Sequence, residues 1–291
     1  MSTSTHAKIA GGVGRAVIGL QSGSRGGSGV IVAPGVAVTI ARNVRRDELT
    51  VRLGGRDLAA RVIGTDPTVD LAVLKLEGSD LPEPAAWATG DGVTIGSEVY
   101  AVADPAGRGL RVTSGAVSSA PSVLRGPSGR LIEGVIEHTA PLPRGSGGGP
   151  LVDSDGRILG LNAIRRDEGL IVAWPAAVLR ERAVALASGR TTAPPRLGVA
   201  LVSARRTRRL RAAVGLEPID GLLVRGVEAG SPADQAGILR GDVIVAVNDA
   251  PVSDPDPLYA ALDDATGRDL ALKVVRGSTE LILTTRLEDQ Q

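Results

Sequence analysis

The sequence predicts a mainly β protein with two domains, and three observations support that prediction. Short apolar runs recur through residues 17–174, and Gly, Pro, Asn or Asp separates most of them. After the Thr- and Pro-rich stretch 191–195 the pattern changes, because helical stretches alternate with strands there. A length of 291 residues also fits two domains of about 150 residues each.

The first region is predicted to fold as an all-β barrel or sandwich followed by one helix. Residues 71–74 form a continuous apolar run, which is typical of a buried strand. A helix is expected to begin at Pro175, since proline favours the first helical position, and to end with Gly189 as its C-terminal cap. Strands are predicted at residues 17–20, 29–32, 36–40, 49–53, 59–63, 71–74, 99–103, 110–117, 131–137, 151–152, 158–164 and 170–174.

The second region is predicted to be a small β-rich module with two main helices. These helices are expected at residues 203–214 and 256–264, with a short helical turn at 232–236. Asn248-Asp249 predicts one turn, and Gly277-Ser278 predicts the turn of a C-terminal hairpin. Strands are predicted at residues 197–202, 222–227, 242–247, 269–275 and 280–285.

Composition excludes several classes of function. The chain has no cysteine and only two histidines, so disulfides, thiolate metal sites and a histidine-rich zinc site are excluded, and we expect no metal and no cofactor. A formal net charge of +1 and four aromatic residues argue against a nucleic-acid partner. No apolar run reaches the roughly 18 residues of a membrane span, and the N-terminus is a poor signal peptide. A cytoplasmic protein is therefore expected.

A glycine-rich motif defines the first region more closely. Residues 145–153 read GSGGGPLVD, and residues 156–162 read GRILGLN. Upstream, SGVIV at 28–32, VTIA at 38–41 and DPTVDLAVL at 66–74 follow one another in order. This series resembles the nucleophile loop, the strands before the histidine and the aspartate segment of trypsin-like serine proteases of the HtrA (Deg) type. The resemblance implies a chymotrypsin/trypsin-like double β-barrel.

The second region is similar to a PDZ domain, a small α+β domain that binds peptides. The matching segments are GLLV at 221–224, GSPA at 230–233, AGI at 236–238, RGDVI at 240–244 and VN at 247–248. The two resemblances together cover residues 16–287. They imply a protease-type domain at residues 9–190, a linker at 191–195 and a PDZ domain at 196–288.

The resemblance carries over only one member of the family's catalytic triad. Asp70 stands at the aspartate position, whereas Arg42 stands at the histidine position and Gly147 at the serine position. Glycine offers no hydroxyl as a nucleophile, and arginine stays protonated and accepts no proton. The resemblance therefore implies a protease domain without catalysis, in which we expect Arg42 to form an ion pair with Asp70.

Two features of the glycine-rich loop leave alternatives open. One interpretation is that Ser146 and His138 serve as a substitute nucleophile and base. The other is that His138 is a partly buried structural histidine. The N–H groups of Gly145 and Gly147 stand at the family's oxyanion hole. One interpretation is that they hold an anion or a peptide carboxylate, and the other is that they belong to an ordered turn.

The resemblance to a PDZ domain implies binding of peptides or protein C-termini. In such domains a glycine loop holds the terminal carboxylate of the ligand, and the following strand, here 222–227, pairs with the peptide. Leu258 and Leu262 share one helix face. We expect them either to line the pocket for the side chain of the ligand or to belong to the hydrophobic core. Asp220 is an unfavourable neighbour for the carboxylate of a ligand. The arginines within 205–211 are either a solvated face or a cluster that favours acidic peptides. The residues assigned to this site are Ile219, Gly221, Leu222, Val224, Leu258 and Leu262.

These observations favour one function and leave two others open. The favoured function is a pseudoprotease that serves as a peptide- or protein-binding scaffold through its PDZ domain. The first alternative is an active or conditionally active serine endopeptidase of protein quality control with non-standard catalytic residues. The second is a structural partner that assembles with itself or with active paralogues.

Overall fold

The computed structural model describes residues 4–21, 26–90, 93–119, 122–166, 169–190, 194–265 and 268–287. Backbone contacts divide the chain into two compact units, Met1–Thr192 and Ala193–Gln291. Residues 191–193 of the predicted linker lie outside the described residues, as does residue 288 at the predicted end of the second domain.

The first unit opens with a short helix and a 3₁₀ turn that lead into a closed six-stranded barrel. The elements are α1 (Thr5–Gly11), the turn Val13–Ala16, β1 (Val17–Leu20), β2 (Gly27–Ala33), β3 (Val36–Ile40), β4 (Glu48–Leu53), β5 (Arg56–Asp66) and β6 (Leu71–Leu76). The barrel order is β1-β2-β3-β6-β5-β4. Because β6 pairs with both β3 and β5, its residues 71–74 are fully buried, and the predicted buried strand is confirmed.

A second sheet of seven strands completes the first unit. Its strands are β7 (Glu98–Ala103), β8 (Arg111–Ala116), β9 (Ser122–Arg125), β10 (Leu131–His138), β11 (Pro150–Val152), β12 (Ile158–Arg165) and β13 (Ile171–Pro175), in the order β8-β7-β11-β12-β13-β10-β9. The end of β8 returns to β10, since Thr139 N donates to Ala116 O at 3.0 Å and Ser118 N donates to Glu137 O at 2.8 Å. These bonds close the sheet on itself, and the predicted double barrel is confirmed.

Helix α2 (Ala176–Ala187) follows the second barrel directly. It begins one residue after Pro175, and Gly189 beyond its end has a left-handed φ of 77°, the conformation that favours glycine. Leu179 and Leu186 on its buried face belong to a core cluster that draws residues from both sheets of the first unit. The helix thus covers the strands that carry the Asp70 segment.

In the described residues, the second unit is one antiparallel sheet with three helices. Its elements are β14 (Val199–Val202), α3 (Ala204–Ala213), β15 (Leu222–Val227), α4 (Pro232–Gln235), β16 (Val243–Val247), β17 (Ala250–Pro251), α5 (Pro255–Asp264), β18 (Asp269–Arg276) and β19 (Thr279–Arg286). The strand order is β14-β15-β16-β18-β19, with β17 beside β16. Asn248 and Asp249 have φ of 45° and 64°, so the predicted turn is confirmed. The two outer strands of this order are β14 and β19.

Candidate functional site

Asp70 immediately precedes β6, and only 4% of its surface is exposed. Its φ of 52° lies in the left-handed region, which Asp tolerates better than most residues. Its carbonyl accepts a hydrogen bond from Ala41 N at 2.8 Å, and its Oδ1 accepts one from Arg42 N at 3.1 Å. These two bonds hold the carboxylate against the 3₁₀ turn Ala41–Asn43, which carries Arg42.

The guanidinium of Arg42 neutralises this buried carboxylate. Arg42 Nη2 lies 2.8 Å from Asp70 Oδ2, so the predicted ion pair is confirmed. The same nitrogen directs its hydrogen bond to the carbonyl of Ala163 at 2.9 Å, and Asp70 Oδ2 accepts no well-aligned hydrogen bond. The pair is therefore an electrostatic contact and not a bidentate one. Burial raises the pKa of Asp70, and the charge and hydrogen bonds of Arg42 oppose that rise.

The glycine-rich loop is fixed by backbone hydrogen bonds to the first barrel and to β12. The carbonyl of Gly147 accepts from Ser28 N at 2.9 Å and from Asn43 Nδ2 at 2.7 Å. Gly148 N donates to the carbonyl of Asn162 at 2.7 Å. Asn43 and Asn162 thus position the loop, and sequence reasoning missed both, because their partners lie more than ten residues away.

The backbone of Gly147 permits a side chain, and a Cβ there would displace only the end of the Ile40 side chain. Its φ is not positive, unlike that of Gly148 at 88°. A Cβ added at Gly147 would lie 2.8 Å from Cδ1 of Ile40, at the end of β3. Ile40 is itself 3% exposed, so it fills the space beside the loop as part of the barrel core.

The structure does not join Ser146 to His138. His138 is fully buried, and its Nε2 lies 2.8 Å from Asn162 Oδ1. Asn162 Nδ2 donates to Gly149 O at 2.8 Å, so the amide oxygen faces the imidazole and Nε2 carries the proton. Burial lowers the pKa of His138, whose Nδ1 has no partner among the described residues. Ser146 Oγ is likewise buried and unpartnered.

A cavity of about 590 Å³ opens beside this loop and is lined by Arg42, Gly145, Ser146, Gly147 and Asn162, among others. Arg42, which lines the cavity, forms the ion pair with Asp70, and the glycine-rich loop supplies backbone N–H groups. Among the described residues no group of three or more histidine or acidic side chains is placed to hold a metal ion.

In the second unit, the strand predicted to bind a peptide lies inside the sheet. β15 pairs with β14 on one side and with β16 on the other, which contradicts the prediction that a ligand strand adds to residues 222–227. Leu222 and Val224 are buried at 0% and 1% exposure. A Cβ added at Gly221 would lie 2.6 Å from Val243 Cγ1, so this glycine packs against β16 and not against an open groove.

The other residues assigned to the peptide site are also not gathered around an open pocket. Leu258 and Leu262 are 1% and 2% exposed and belong to the hydrophobic core of the second unit, so neither presents a surface to a ligand. Ile219 is half-buried, and Asp220 forms an exposed ion pair with Arg208. The negative charge of Asp220 is therefore already offset.

The open edge near this region belongs to β14. It is preceded by Gly198, whose φ is 80°. The carbonyl of Leu197 accepts from Ala233 N, and that of Gly198 accepts from Glu228 N, each at 2.9 Å. A glycine in a left-handed conformation thus leads into an edge strand. This arrangement is the one expected at residues 219–222, but it occurs about 20 residues earlier.

Comparison with known proteins gives both units a family. The first unit matches the trypsin-like peptidase domain over residues 27–161, and the second matches the PDZ domain over residues 223–276. HhoA of Synechocystis sp., a serine protease by name, is 32% identical over 89% of this chain and 70% of its own length. The DegP-like protein of Rhizobium meliloti, named a periplasmic serine endoprotease, is 31% identical over 78% of this chain and 43% of its own. A solved structure of the HtrA-type protease AlgW with a decapeptide shares 25% identity, covers 98% of each chain and has a TM-score of 0.68.

The protein is thus a trypsin-like peptidase fold joined to a PDZ domain. The chain belongs to the HtrA family of serine proteases. It spans about half the length of several DegP-like relatives. The expectation of a cytoplasmic protein is wrong by this comparison, because those relatives are named periplasmic endoproteases. Within the described ranges, no helix is both long enough and apolar enough to cross a membrane.

Proposed function

We propose that this chain is a pseudoprotease of the HtrA family that binds peptides and does not cleave them. The observation that carries the proposal is the packing at Gly147, which occupies the position of the family's serine. The space next to its Cα is filled by Cδ1 of Ile40, 2.8 Å from an added Cβ. The loop is therefore packed around a residue that has no nucleophile.

The proton chemistry of Arg42 supports the same proposal. Attack by a hydroxyl on a peptide carbonyl needs a base near neutral pKa to take the hydroxyl proton. Arg42 is the group that faces Asp70, and its guanidinium is protonated at every physiological pH. Asp70 then balances the charge of Arg42 and orients no imidazole.

The competing function, an endopeptidase with non-standard residues, would rest on Ser146. Its Oγ is buried and has no hydrogen-bond partner, so no base takes its proton in this arrangement. His138 presents a protonated Nε2 to Asn162, and its basic Nδ1 makes no hydrogen bond to Ser146 Oγ or to any other described residue. The geometry favours the pseudoprotease.

We expect the purified full-length chain to leave denatured casein intact and to take up no fluorophosphonate probe. The physical reason is that position 147 has no hydroxyl and position 42 has no base. An active HtrA-type protease treated in parallel serves as the positive control, and intact mass measures both reactions. Stoichiometric labelling of Ser146 would contradict the proposal and favour the endopeptidase.

We further propose that the PDZ domain binds peptide C-termini by strand addition at β14. An outer strand presents unpaired N–H and C=O groups, which an extended peptide satisfies. β14 is outer in the sheet order, whereas β15 is not. The left-handed Gly198 lets the preceding backbone turn towards a carboxylate. The HtrA-type protease AlgW, which this chain resembles in structure, was solved with a decapeptide, which supports peptide binding.

We expect peptides with a free apolar C-terminus to bind the full-length chain about 10-fold more tightly than the same peptides amidated. A short peptide loses much entropy on binding, so affinity should be roughly micromolar. Chemical-shift changes should concentrate at residues 197–202, while β19, the opposite edge, serves as an internal control. Equal binding of both peptide forms, or shifts centred on β19, would show that β14 is not the site.

A further inference from the structure

The cleft beside the glycine-rich loop is strongly cationic. Four arginines line it, Arg42, Arg108, Arg144 and Arg165, and no carboxylate side chain lines it within the described ranges. Asp70 offsets the charge of Arg42. The other three have no ion-pair partner among the residues that the structure describes. The cleft therefore carries about three unbalanced positive charges.

The three arginines without an ion pair come from distant parts of the chain, and backbone carbonyls hold two of them in place. Arg108 follows the 3₁₀ turn Pro105–Gly107, and its Nε donates to the carbonyl of Pro105 at 3.2 Å. Arg165 ends β12, and its Nη2 donates to the carbonyl of Leu142. Arg144 precedes the glycine-rich loop and makes no hydrogen bond to a described residue. One guanidinium is thus free beside two that are anchored.

The loop adds neutral donors to the same cleft. Ser146 is 3% exposed and lines the cavity, and its Oγ has no hydrogen-bond partner among the described residues, although buried hydroxyls are almost always hydrogen-bonded. The N–H groups of Gly145, Ser146 and Gly147 donate to no acceptor in the described part of the chain. Donors without acceptors beside unbalanced cations define a site for a negatively charged acceptor.

We propose that this cleft binds the acidic side chain of an extended polypeptide, with the carboxylate of Asp or Glu between Arg144, Arg165 and Ser146. A volume of about 590 Å³ accommodates a side chain and the adjoining backbone and exceeds what an isolated small anion fills. The inference rests on the proposed loss of catalysis, since it turns the former reaction cleft into a receptor. The PDZ edge is a separate site on the other unit.

The test uses two blocked peptides, acetyl-Ala-Ala-Asp-Ala-Ala-amide and its Asn counterpart. Blocked ends remove the terminal carboxylate that the PDZ domain would hold. Titration calorimetry of the full-length chain is expected to give at least about 10-fold tighter binding for the Asp peptide at low salt. That preference should weaken as salt rises, because the ion pairs are partly exposed.

Variants locate the site. Arg144→Gln should weaken binding of the Asp peptide about 10-fold, and Ser146→Ala should weaken it by a smaller factor. Arg144 is exposed and makes no hydrogen bond or ion pair with a described residue. Arg46→Gln, which removes an exposed arginine of the first unit that does not line the cleft, is the matched control and should leave the affinity unchanged.

Two outcomes overturn the inference. One is equal binding of the Asp and Asn peptides, and the other is unchanged affinity in Arg144→Gln. Mass analysis of the peptides after each titration separates these outcomes from a failure of the pseudoprotease proposal. Cleaved peptide would contradict the loss of catalysis, whereas intact but unbound peptide would contradict only the acidic-side-chain site.

Discussion

The double variant Arg42→His, Gly147→Ser is expected to react with a fluorophosphonate probe that leaves the wild-type chain unlabelled. The variant supplies a nucleophile and a base at the positions that we assign to the family's serine and histidine, and on the same assignment Asp70 would orient the imidazole. The φ of Gly147 is not positive, so the backbone accepts serine without strain. The unpaired N–H groups of the loop remain available to a developing oxyanion.

The obstacle to this restoration is Ile40, whose Cδ1 lies 2.8 Å from the Cβ that serine would bring. Ile40→Val removes that carbon and costs about 0.5 to 1.5 kcal/mol of stability. We therefore expect the triple variant with Ile40→Val to be labelled faster than the double variant. Because the distance involves the far end of a flexible side chain, the double variant should still react after Ile40 rotates.

The single variants are the controls. Arg42→His alone has no nucleophile, and Gly147→Ser alone has no base, so each should label at least about 10³-fold more slowly than the double variant. Labelling is followed by intact mass and mapped by peptide digestion. A label at Ser146 would place the nucleophile one residue earlier. Absence of any label in the triple variant, with its fold intact by circular dichroism, would argue against Gly147 as the serine position.

The sequence predicted most strands because the signals for them are local. Apolar runs between turn residues define β6 and the β18–β19 hairpin, and the structure has both. α1 was missed because Ile9 is the only large apolar residue among its seven residues and its N-terminal cap is a single hydrogen bond from Ala7 N to Ser4 Oγ. β9 was missed because it is a four-residue outer strand that pairs only with β10.

The peptide edge and the cationic cleft depend instead on contacts between residues far apart in sequence. Nothing local distinguishes Gly221 from Gly198. The difference is that β16 covers the strand after Gly221, while the strand after Gly198 stays at the edge. In the same way, Arg108 and Arg165 have unremarkable neighbours in sequence, and only the closure of the two barrels brings them to one cavity. The positions of both proposed sites therefore depend on how strands far apart in sequence pair with one another.

Replacement of Arg42 by alanine is expected to lower the free energy of unfolding of the first unit by about 1 to 3 kcal/mol at pH 7. The variant leaves Asp70, which is 4% exposed, without its cation. Loss of one partner from a fully buried pair costs about 3 to 5 kcal/mol. Here 48% of the Arg42 side chain is exposed, so solvent screens the pair and the smaller range applies.

The loss should grow with pH, and its sign follows from the pKa of Asp70. Burial raises that pKa in the wild-type native state, Arg42 opposes the rise, and without Arg42 the pKa rises further. Below the ordinary carboxyl range, Asp70 is protonated in the native and unfolded states of both chains, and the difference in stability is small. As pH rises above that range, the unfolded chain ionises while the native variant retains its proton, so the variant becomes progressively less stable than wild type.

Urea unfolding followed by tryptophan fluorescence measures this difference in the first unit alone, because both tryptophans, Trp87 and Trp174, lie in it. Arg56→Ala is the matched control. It breaks an ion pair with Asp80 at 3.2 Å whose partners are 57% and 89% exposed, and it should change stability by less than about 1 kcal/mol at every pH. An Arg42→Ala loss no larger than that of the control, or a loss that is greatest at low pH, would show that Arg42 does not hold the charge of Asp70.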